Sequence, residues 1–306
     1  MDFLRAEFEP DFSFSVSSSR AIPFERLAME ASDITLMAKP VKWGLAQPGM
    51  SPSEDEVDDT EKSIFWPTVV ADLGGYDVAS NAEWITKRQC VERLWELGGQ
   101  LDVRIARAMV ELTGVHKSIP NRQIESHVHV HCLATATTRG WMNFFGLRLD
   151  KAADPTLRAL AEEAWRGWNE SVPRKLEPGQ WHLPYADDPE ENEQIWVEAN
   201  GGGIVTKDQE EIFIKVSVAR CAHLSYESFA SPGRRMSIEE CIALHDRFVN
   251  SVPMHASPME HIAAADELID GNWKRKGLGG NLGDGWIQYR KLLANESIAP
   301  LPAQYL

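Results

Sequence analysis

The stretch from Trp84 to Leu112 constrains the fold most, because it predicts the longest helix of the chain. Its apolar residues recur three and four positions apart, which places them largely on one face of an α-helix. These residues are Val91, Leu94, Trp95, Leu101, Ile105, Ala108, Met109 and Leu112. The pair Gly98-Gly99 stands in the middle and predicts an interruption that divides the helix into two pieces.

Two further helix starts and one strand complete the coarse pattern. Asp154-Pro155 combines an N-cap acid with a proline in the first turn, and the helix after it continues through Trp168. Ser237 to Glu240 is a capping box that opens a helix through Phe248. Ile, Phe and Val dominate Ile212 to Ala219, which predicts a strand. Long helices with few strands favour the α+β class.

Composition narrows the functional classes. The chain has 306 residues, 43% of them hydrophobic and 25% charged, as in a soluble globular protein. Its net charge of -15 argues against a broad nucleic-acid surface. A signal peptide and an apolar run of roughly 18 residues are missing, so no membrane partner is expected. The four cysteines are widely spread and predict free thiols in a reducing cytoplasm.

The segment His255 to His261 combines two histidines, a serine, a proline and a glutamate. A helix that starts near Pro258 would direct its free N–H groups at Ser257, which makes an anion site. The structural alternative is a capping box between Ser257 and Glu260, since Ser-x-x-Glu is a common helix start.

Two upstream segments offer groups that bind phosphate. Arg139 and Asn143 share a helix face, and Arg148 follows behind two phenylalanines. The alternative for this segment is a surface helix with solvated arginines. Ser17 to Arg20 offers hydroxyls and backbone N–H groups beside a guanidinium, although serine is also a common turn residue.

Two other patterns have weaker functional readings. His127, His129 and His131 alternate as on one face of a strand, but a complete ligand set with matching spacing is missing. No metal is therefore expected, and a packed or pocket-lining role is favoured. The acidic block from Glu54 to Glu61 indicates a solvated helix or loop. Gly-x-Gly-x-x-Gly, P-loop and Gly-x-Ser-x-Gly motifs are absent from the sequence.

Taken together, these segments resemble the flavin-dependent thymidylate synthases. The signature His-x-Thr/Ser-Pro-Phe-Glu-His of the family is similar to His255 to His261, with Met259 in place of Phe. The Ser-x-Arg motif is matched by Ser18 and Arg20. The block Asn-x-Arg, three residues, Asn-Phe-x-x-Leu-Arg is matched at five positions, with Thr137 in place of the first Asn. The five are Arg139, Asn143, Phe144, Leu147 and Arg148.

The order of the motifs differs from the usual family order. Ala219 to Tyr226 resembles the Ala-Arg-Val-Ser-Tyr strand near the usual N-terminus of the family. This strand and the His255 to His261 segment come last here, as in a circular permutation. Phage-type members are similar, including Ser18 to Pro23 and Trp181 to Tyr185. The resemblance implies one permuted domain over 1–306, with the N-terminal half of the family at about 210–295.

The fold implied is that of the thymidylate synthase-complementing proteins, a central, mostly antiparallel sheet with long helices. The reaction implied is reductive methylation of dUMP to dTMP with FAD, NADPH and 5,10-methylenetetrahydrofolate, by a cytoplasmic homotetramer. Arg148 is the implied catalytic residue. The implied dUMP residues are Ser18, Arg20, Arg122, Arg148 and Gln288. The implied FAD residues are His255, Ser257, Thr137, Arg139, Asn143 and Arg290.

One motif of the family is missing. The family has Arg-His-Arg upstream of Ser-x-Arg, whereas this chain has Phe8-Glu9-Pro10, which cannot donate the same hydrogen bonds. Gln288 to Lys291 resembles the Gln-x-x-Arg that leads into the triplet, so Arg290 and Lys291 are candidates to replace it. Two alternatives remain open. One is a related flavin and folate enzyme that methylates or hydroxymethylates another pyrimidine nucleotide, and the other is a nucleotide-binding homologue without catalysis.

Overall fold

The structure, a computed structural model, describes residues 12–16, 22–45, 55–72, 82–186, 207–223, 236–296 and 304. The chain forms two compact units. The first unit comprises Met1–Ser17, His131–Gly146 and Glu163–Leu306. The second unit comprises Ser18–Val130 and Leu147–Glu162.

Helices are the main elements of the described residues. The α-helices are α1 (Phe24–Ser32), α2 (Trp66–Asp72), α3 (Lys87–Thr113), α4 (Pro120–Ile124), α5 (Thr138–Arg148), α6 (Pro155–Glu170), α7 (Lys207–His223) and α8 (Ile238–Asn250). The strands are β1 (Phe12–Val16), β2 (Ile64–Phe65), β3 (Trp84–Ile85), β4 (Cys132–Ala136), β5 (Trp181–His182), β6 (Ala263–Ala265), β7 (Leu268–Ile269), β8 (Asn272–Trp273) and β9 (Trp286–Gln288). Short 3-10 helices cover Glu125–His127, Ser257–His261, Gly280–Leu282 and Tyr289–Leu292.

The strands pair antiparallel in four small sheets, which confirms the α+β class. Within the described residues, these small sheets stand in place of one central sheet, and the largest has three strands in the order β5-β6-β9. In the first unit β1 also pairs with β4, so that Val16 lies opposite Cys132. Val16 therefore lies at the end of this ribbon that is opposite to the start of α5.

The helix α3 confirms the longest predicted helix, but the interruption predicted at Gly98-Gly99 is wrong. The helix opens with a capping box at Thr86 and ends at Gly114, which adopts the left-handed conformation that glycine tolerates best. A Cβ atom at Gly99 would lie 2.6 Å from the Met37 side chain. Glycine at this position therefore allows close packing inside a continuous helix.

The strand predicted over Ile212 to Ala219 is wrong, because these residues lie inside α7. The helix is buried along most of its middle, from Phe213 to Cys221, so its sequence has no regular polar face. A continuous apolar run does not by itself distinguish a buried helix from a buried strand. This correction includes Ala219 to His223 of the segment compared with the Ala-Arg-Val-Ser-Tyr strand; residues 224–226 lie outside the described residues.

The other two helix starts are confirmed. Asp154 Oδ1 accepts hydrogen bonds from the N–H groups of Thr156 and Leu157 at 3.0 and 3.1 Å, which caps α6. At α8 the Ser237 hydroxyl accepts from the N–H of Glu240 at 3.2 Å, and the Glu240 carboxylate accepts from the N–H of Ser237 at 2.8 Å.

The main core of the first unit joins α7 and α8 to the His255 to His261 segment. Met259 and Ile262 belong to the same cluster of buried side chains as Phe213, Val216 and Cys241. The candidate segment is therefore attached to a rigid, well-packed support. None of the helices in the described part of the chain is long and apolar enough to cross a membrane.

Candidate functional site

The His255 to His261 segment has an exposed beginning and a buried end. His255 and Ser257 are exposed, whereas Met259 and His261 are fully buried. The helix predicted at Pro258 is a single 3-10 turn, Ser257–His261. The cap position of this turn is Ala256, so the capping box proposed for Ser257 and Glu260 does not form in this described segment.

His261 links the segment to the strand that leads into α5. Its Nδ1 lies 3.0 Å from the hydroxyl of Thr135 on β4. Burial, and secondarily the neighbouring His182, lower the pKa of His261 to about 4. Burial, and secondarily the charge of Arg174, also lower the pKa of His182 to about 4. Both imidazoles are therefore neutral at pH 7, and His261 forms a buried contact between this segment and β4.

A second segment, Gln288 to Arg290, holds the same turn from the other side. The Gln288 amide donates to the backbone carbonyl of Glu260 at 2.8 Å and to the Asn281 side chain at 2.5 Å. The N–H of Tyr289 donates to the carbonyl of Ile262 at 2.8 Å. Gln288 is buried and its amide nitrogen donates to protein groups, and its predicted role in binding dUMP stays a prediction.

Arg290 and Lys291, the candidates for the missing Arg-His-Arg, lie beside the segment but are paired with carboxylates. The Arg290 guanidinium contacts the Glu260 carboxylate, and its Nε lies 3.2 Å from Glu296. Lys291 lies 3.0 Å from Glu296. The two cations thus pair with the two carboxylates of Glu260 and Glu296. That Arg290 and Lys291 replace the Arg-His-Arg triplet stays a prediction.

A network that the sequence did not reveal supports Tyr289. The Nε2 of the buried His245 lies 3.0 Å from the Tyr289 hydroxyl, and its Nδ1 lies 2.8 Å from Asp246. Lys215 joins Asp246 at 3.2 Å and Glu211 at 3.3 Å. Burial lowers the pKa of His245, and burial together with the two carboxylates raises the pKa of Tyr289 to about 12. This network fixes the Tyr289 ring next to the segment.

Of the three predicted FAD residues at α5, one is buried and supports the helix start, and two lie at the surface. Thr137 is buried, and its hydroxyl accepts from the N–H of Gly140 at 3.4 Å, as an N-cap threonine does. Arg139 and Asn143 are exposed on one face of α5. The opposite face is held in the first unit by aromatic packing. The residues of this cluster are Trp141, Phe144, Phe145, Trp165 and Trp168.

Two of the predicted dUMP residues are exposed in the second unit. Arg148 ends α5 and stands nine residues after Arg139, so it lies about half a turn away around the helix axis. Arg122 lies in the short helix α4. Ser18 and Arg20 lie outside the described residues.

The three alternating histidines do not lie in a strand. His127 is buried in the second unit against the ring of Trp95, at a centroid distance of 4.7 Å. His129 is exposed and its Nδ1 lies 2.7 Å from Glu30, and His131 is also exposed. Across the described ranges, no group of three or more His, Cys, Asp or Glu side chains could hold a metal ion.

Comparison of the chain with family models, curated proteins and solved structures finds no match. The sequence motifs and the contacts above therefore carry the functional interpretation. The sequence analysis did not identify His245. Its helical spacing between the apolar Cys241 and Phe248 could have predicted that His245 is buried. His182 lies inside the Trp181 to Tyr185 motif, but its burial depends on β5 pairing with a distant strand.

Proposed function

We propose that this protein is an enzyme of the flavin-dependent thymidylate synthase type that reductively methylates dUMP. The main support is that His255 to His261 contacts both the Gln288 to Arg290 segment and β4, although these segments are far apart in sequence. His255 to His261 and Gln288 to Arg290 are segments on which the resemblance rests, and β4 leads directly into a third that begins at Thr137.

The available side chains fit an anionic flavin cofactor. Ser257, His255, Arg139 and Asn143 are exposed and offer a hydroxyl, an imidazole, a guanidinium and an amide. These groups suit the diphosphate and the polar ring edge of FAD. When bound and reduced by NADPH, FAD would supply the hydride that completes the methyl group from methylenetetrahydrofolate. The Arg290 guanidinium already pairs with the carboxylates of Glu260 and Glu296. Arg290 would therefore hold the Ser257 to His261 turn through Glu260.

The uracil of dUMP would be the ligand of Arg148. A fixed guanidinium beside the ring favours the N3 anion and so promotes attack from uracil C5. Ser18, Arg20 and Arg122 would hold the phosphate. The homotetramer with shared active sites that the resemblance implies is part of this proposal.

One structural observation favours a second candidate, a nucleotide-binding homologue without catalysis. Arg290 is shared between Glu260 and Glu296, and Phe8-Glu9-Pro10 offers no cation in place of Arg-His-Arg. A site with fewer available positive charges would bind FAD and dUMP more weakly.

Product analysis separates these candidates. The protein is incubated with dUMP, NADPH, FAD and methylenetetrahydrofolate, and dTMP is measured. We expect Arg148→Ala to lower kcat/KM by about 100-fold, because it removes a charge from the reacting ring. The exposed Arg104 of α3 is the matched control, and Arg104→Ala should keep the wild-type rate. Wild-type turnover in Arg148→Ala would show that Arg148 is not part of the site. A hydroxymethyl product in place of dTMP would indicate the related flavin and folate enzyme.

A further inference from the structure

Two neighbouring cations of the first unit share one carboxylate beside the candidate site. Arg290 Nε lies 3.2 Å from one carboxylate oxygen of Glu296, and Lys291 Nζ lies 3.0 Å from the other. The Glu296 side chain is 17% exposed, whereas the side chains of Arg290 and Lys291 are 31% and 30% exposed. One anion is therefore held by two cations that solvent still reaches.

This pair of cations is attached to the His255 to His261 segment. The guanidinium of Arg290 also contacts the carboxylate of Glu260, which lies in the 3-10 turn of that segment. Arg290 uses Nη1 for Glu260 and Nε for Glu296, so the two carboxylates bind different nitrogen atoms. Displacement of the Glu296 carboxylate would therefore leave the contact with Glu260, and with it the support of the turn, in place.

The backbone that carries Glu296 is fixed by bonds that do not involve its carboxylate. The N–H of Leu293 donates to the carbonyl of Arg290 at 3.2 Å, and the N–H of Glu296 donates to the carbonyl of Leu293 at 3.2 Å. The Asn295 side chain donates to the carbonyl of Val249 in α8 at 2.6 Å. A change of rotamer would therefore move the Glu296 carboxylate away from the two cations while the backbone keeps its position.

We infer that Glu296 occupies an oxyanion site formed by Arg290 and Lys291, and that a diphosphate group binds there by displacing the Glu296 carboxylate. A guanidinium beside an ammonium suits phosphate oxygens. A phosphate group carries more negative charge and more acceptor oxygens than a carboxylate, so it competes for the same cations. In the proposed function, on which this inference rests, the diphosphate is that of FAD. Glu296 is then a built-in competitor of the cofactor.

The test removes the competing charge. Inorganic pyrophosphate and FAD are titrated separately, by calorimetry, into wild-type protein and Glu296→Gln. Glutamine keeps the length and the hydrogen-bonding capacity of the side chain, so the variant should fold. Because partly exposed ion pairs are weak, the affinity for both ligands should rise by only about fivefold. The double variant Glu296→Gln with Lys291→Ala should lose this gain, because one of the two cations is removed.

Melting temperatures distinguish competition from a structural role. Glu296→Gln should melt slightly below the wild type while it binds more tightly, whereas a purely structural glutamate would lower the melting temperature without any gain in affinity. Glu267 pairs with Lys274 at 2.6 Å elsewhere in the first unit, and Glu267→Gln is the matched control that should keep both affinities. The inference is overturned if Glu296→Gln binds pyrophosphate no more tightly than wild type.

The two ligands separate this inference from the proposed function. If Glu296→Gln gains affinity for pyrophosphate but neither protein binds FAD, the proposed function fails and the oxyanion site stands. If FAD binds but the pyrophosphate affinity does not rise in Glu296→Gln, the proposed function stands and the inference fails.

Discussion

Two segments of the first unit carry the same Ser-x-x-Glu pattern and use it differently. At the start of α8, Ser237 and Glu240 bond reciprocally to each other's backbone N–H groups. In the His255 to His261 segment, Ser257 is exposed and Glu260 pairs with Arg290. The first pair caps the start of a 13-residue helix, whereas the second belongs to a 3-10 turn of five residues.

This difference shows what a short motif does and does not determine. Where the chain continues as a long helix, the serine and the glutamate satisfy orphan N–H groups, so their role is structural. Where the helix ends after one turn, the glutamate pairs with an arginine that is distant in sequence, and the serine lies at the surface. Only the second serine can serve a ligand, and the following predictions test that distinction.

The largest expected effect concerns the buried His261 at the end of the His255 to His261 segment. The pKa of the buried His261 is about 4, below its ordinary value of 6.5, so the unfolded chain takes up the proton first as the pH falls. The free energy of unfolding should therefore decrease between pH 6.5 and 4, by about 3 kcal/mol for this histidine. Urea unfolding of wild type and His261→Gln over this range measures the effect.

His261→Gln should flatten the pH dependence of the wild type, because glutamine does not titrate in this range. His182 has a lowered pKa as well, so His261→Gln retains part of the slope. Equal slopes for wild type and His261→Gln would contradict the buried, neutral state of His261.

The next effect concerns ligand binding at the second serine. Ser257→Ala should weaken FAD binding about tenfold, since it removes a surface hydrogen-bond donor from the proposed cofactor site. The melting temperature should stay at the wild-type value, because Ser257 does not cap a helix in the structure. Fluorescence titration with FAD and a thermal melt of the same samples provide both readouts. A stability loss with unchanged FAD affinity would reverse the assignment of Ser257.

The first serine should show the opposite behaviour. Ser237→Ala removes the N-cap of α8 and should lower the free energy of unfolding by about 1 kcal/mol. FAD affinity should not change, because Ser237 bonds only within its own helix start. Equilibrium unfolding in urea measures the loss, and an unchanged free energy would show that the capping bond contributes nothing measurable.

Sequence patterns predicted the elements whose signals are local. The capping box at Ser237 and the acidic N-cap at Asp154 are built from residues within one turn, and both were confirmed. The strand predicted over Ile212 to Ala219 was wrong because burial around most of α7 removed the polar face that identifies a helix. The interruption predicted at Gly98-Gly99 was wrong because a Cβ at Gly99 would crowd the Ala31 carbonyl and the Met37 side chain, so this glycine serves close packing within a continuous helix.

In the candidate site, too, the sequence pattern predicts local features and not the long-range contacts. The His255 to His261 motif located the segment, but the partners of Glu260 and His261 come from Arg290 and Thr135, which the spacing of the motif does not reveal. The sequence predicts Gln288 as a dUMP residue, and it does not reveal that the amide nitrogen of Gln288 donates to Glu260 and Asn281. Long-range contacts therefore decide which motif residues remain available for a ligand.

The smallest expected effect compares the two glutamates. Glu260→Gln removes the charge opposite Arg290 and should lower the free energy of unfolding by about 0.5 kcal/mol at low salt, because the pair is partly exposed. The loss should shrink at high salt. Glu240→Gln should cost less, since glutamine also serves in a capping box. Urea unfolding at two salt concentrations tests both variants, and a salt-independent loss at Glu260 would contradict the ion-pair assignment.

The central claim is that the segments brought together in the first unit form part of a flavin site. The most direct measurement is the visible absorption spectrum of the purified wild-type protein, before and after incubation with FAD and gel filtration. Our account predicts flavin absorption bands that remain with the protein and saturate at a fixed ratio of FAD to chain. Protein that is colourless after incubation and gel filtration would contradict the claim.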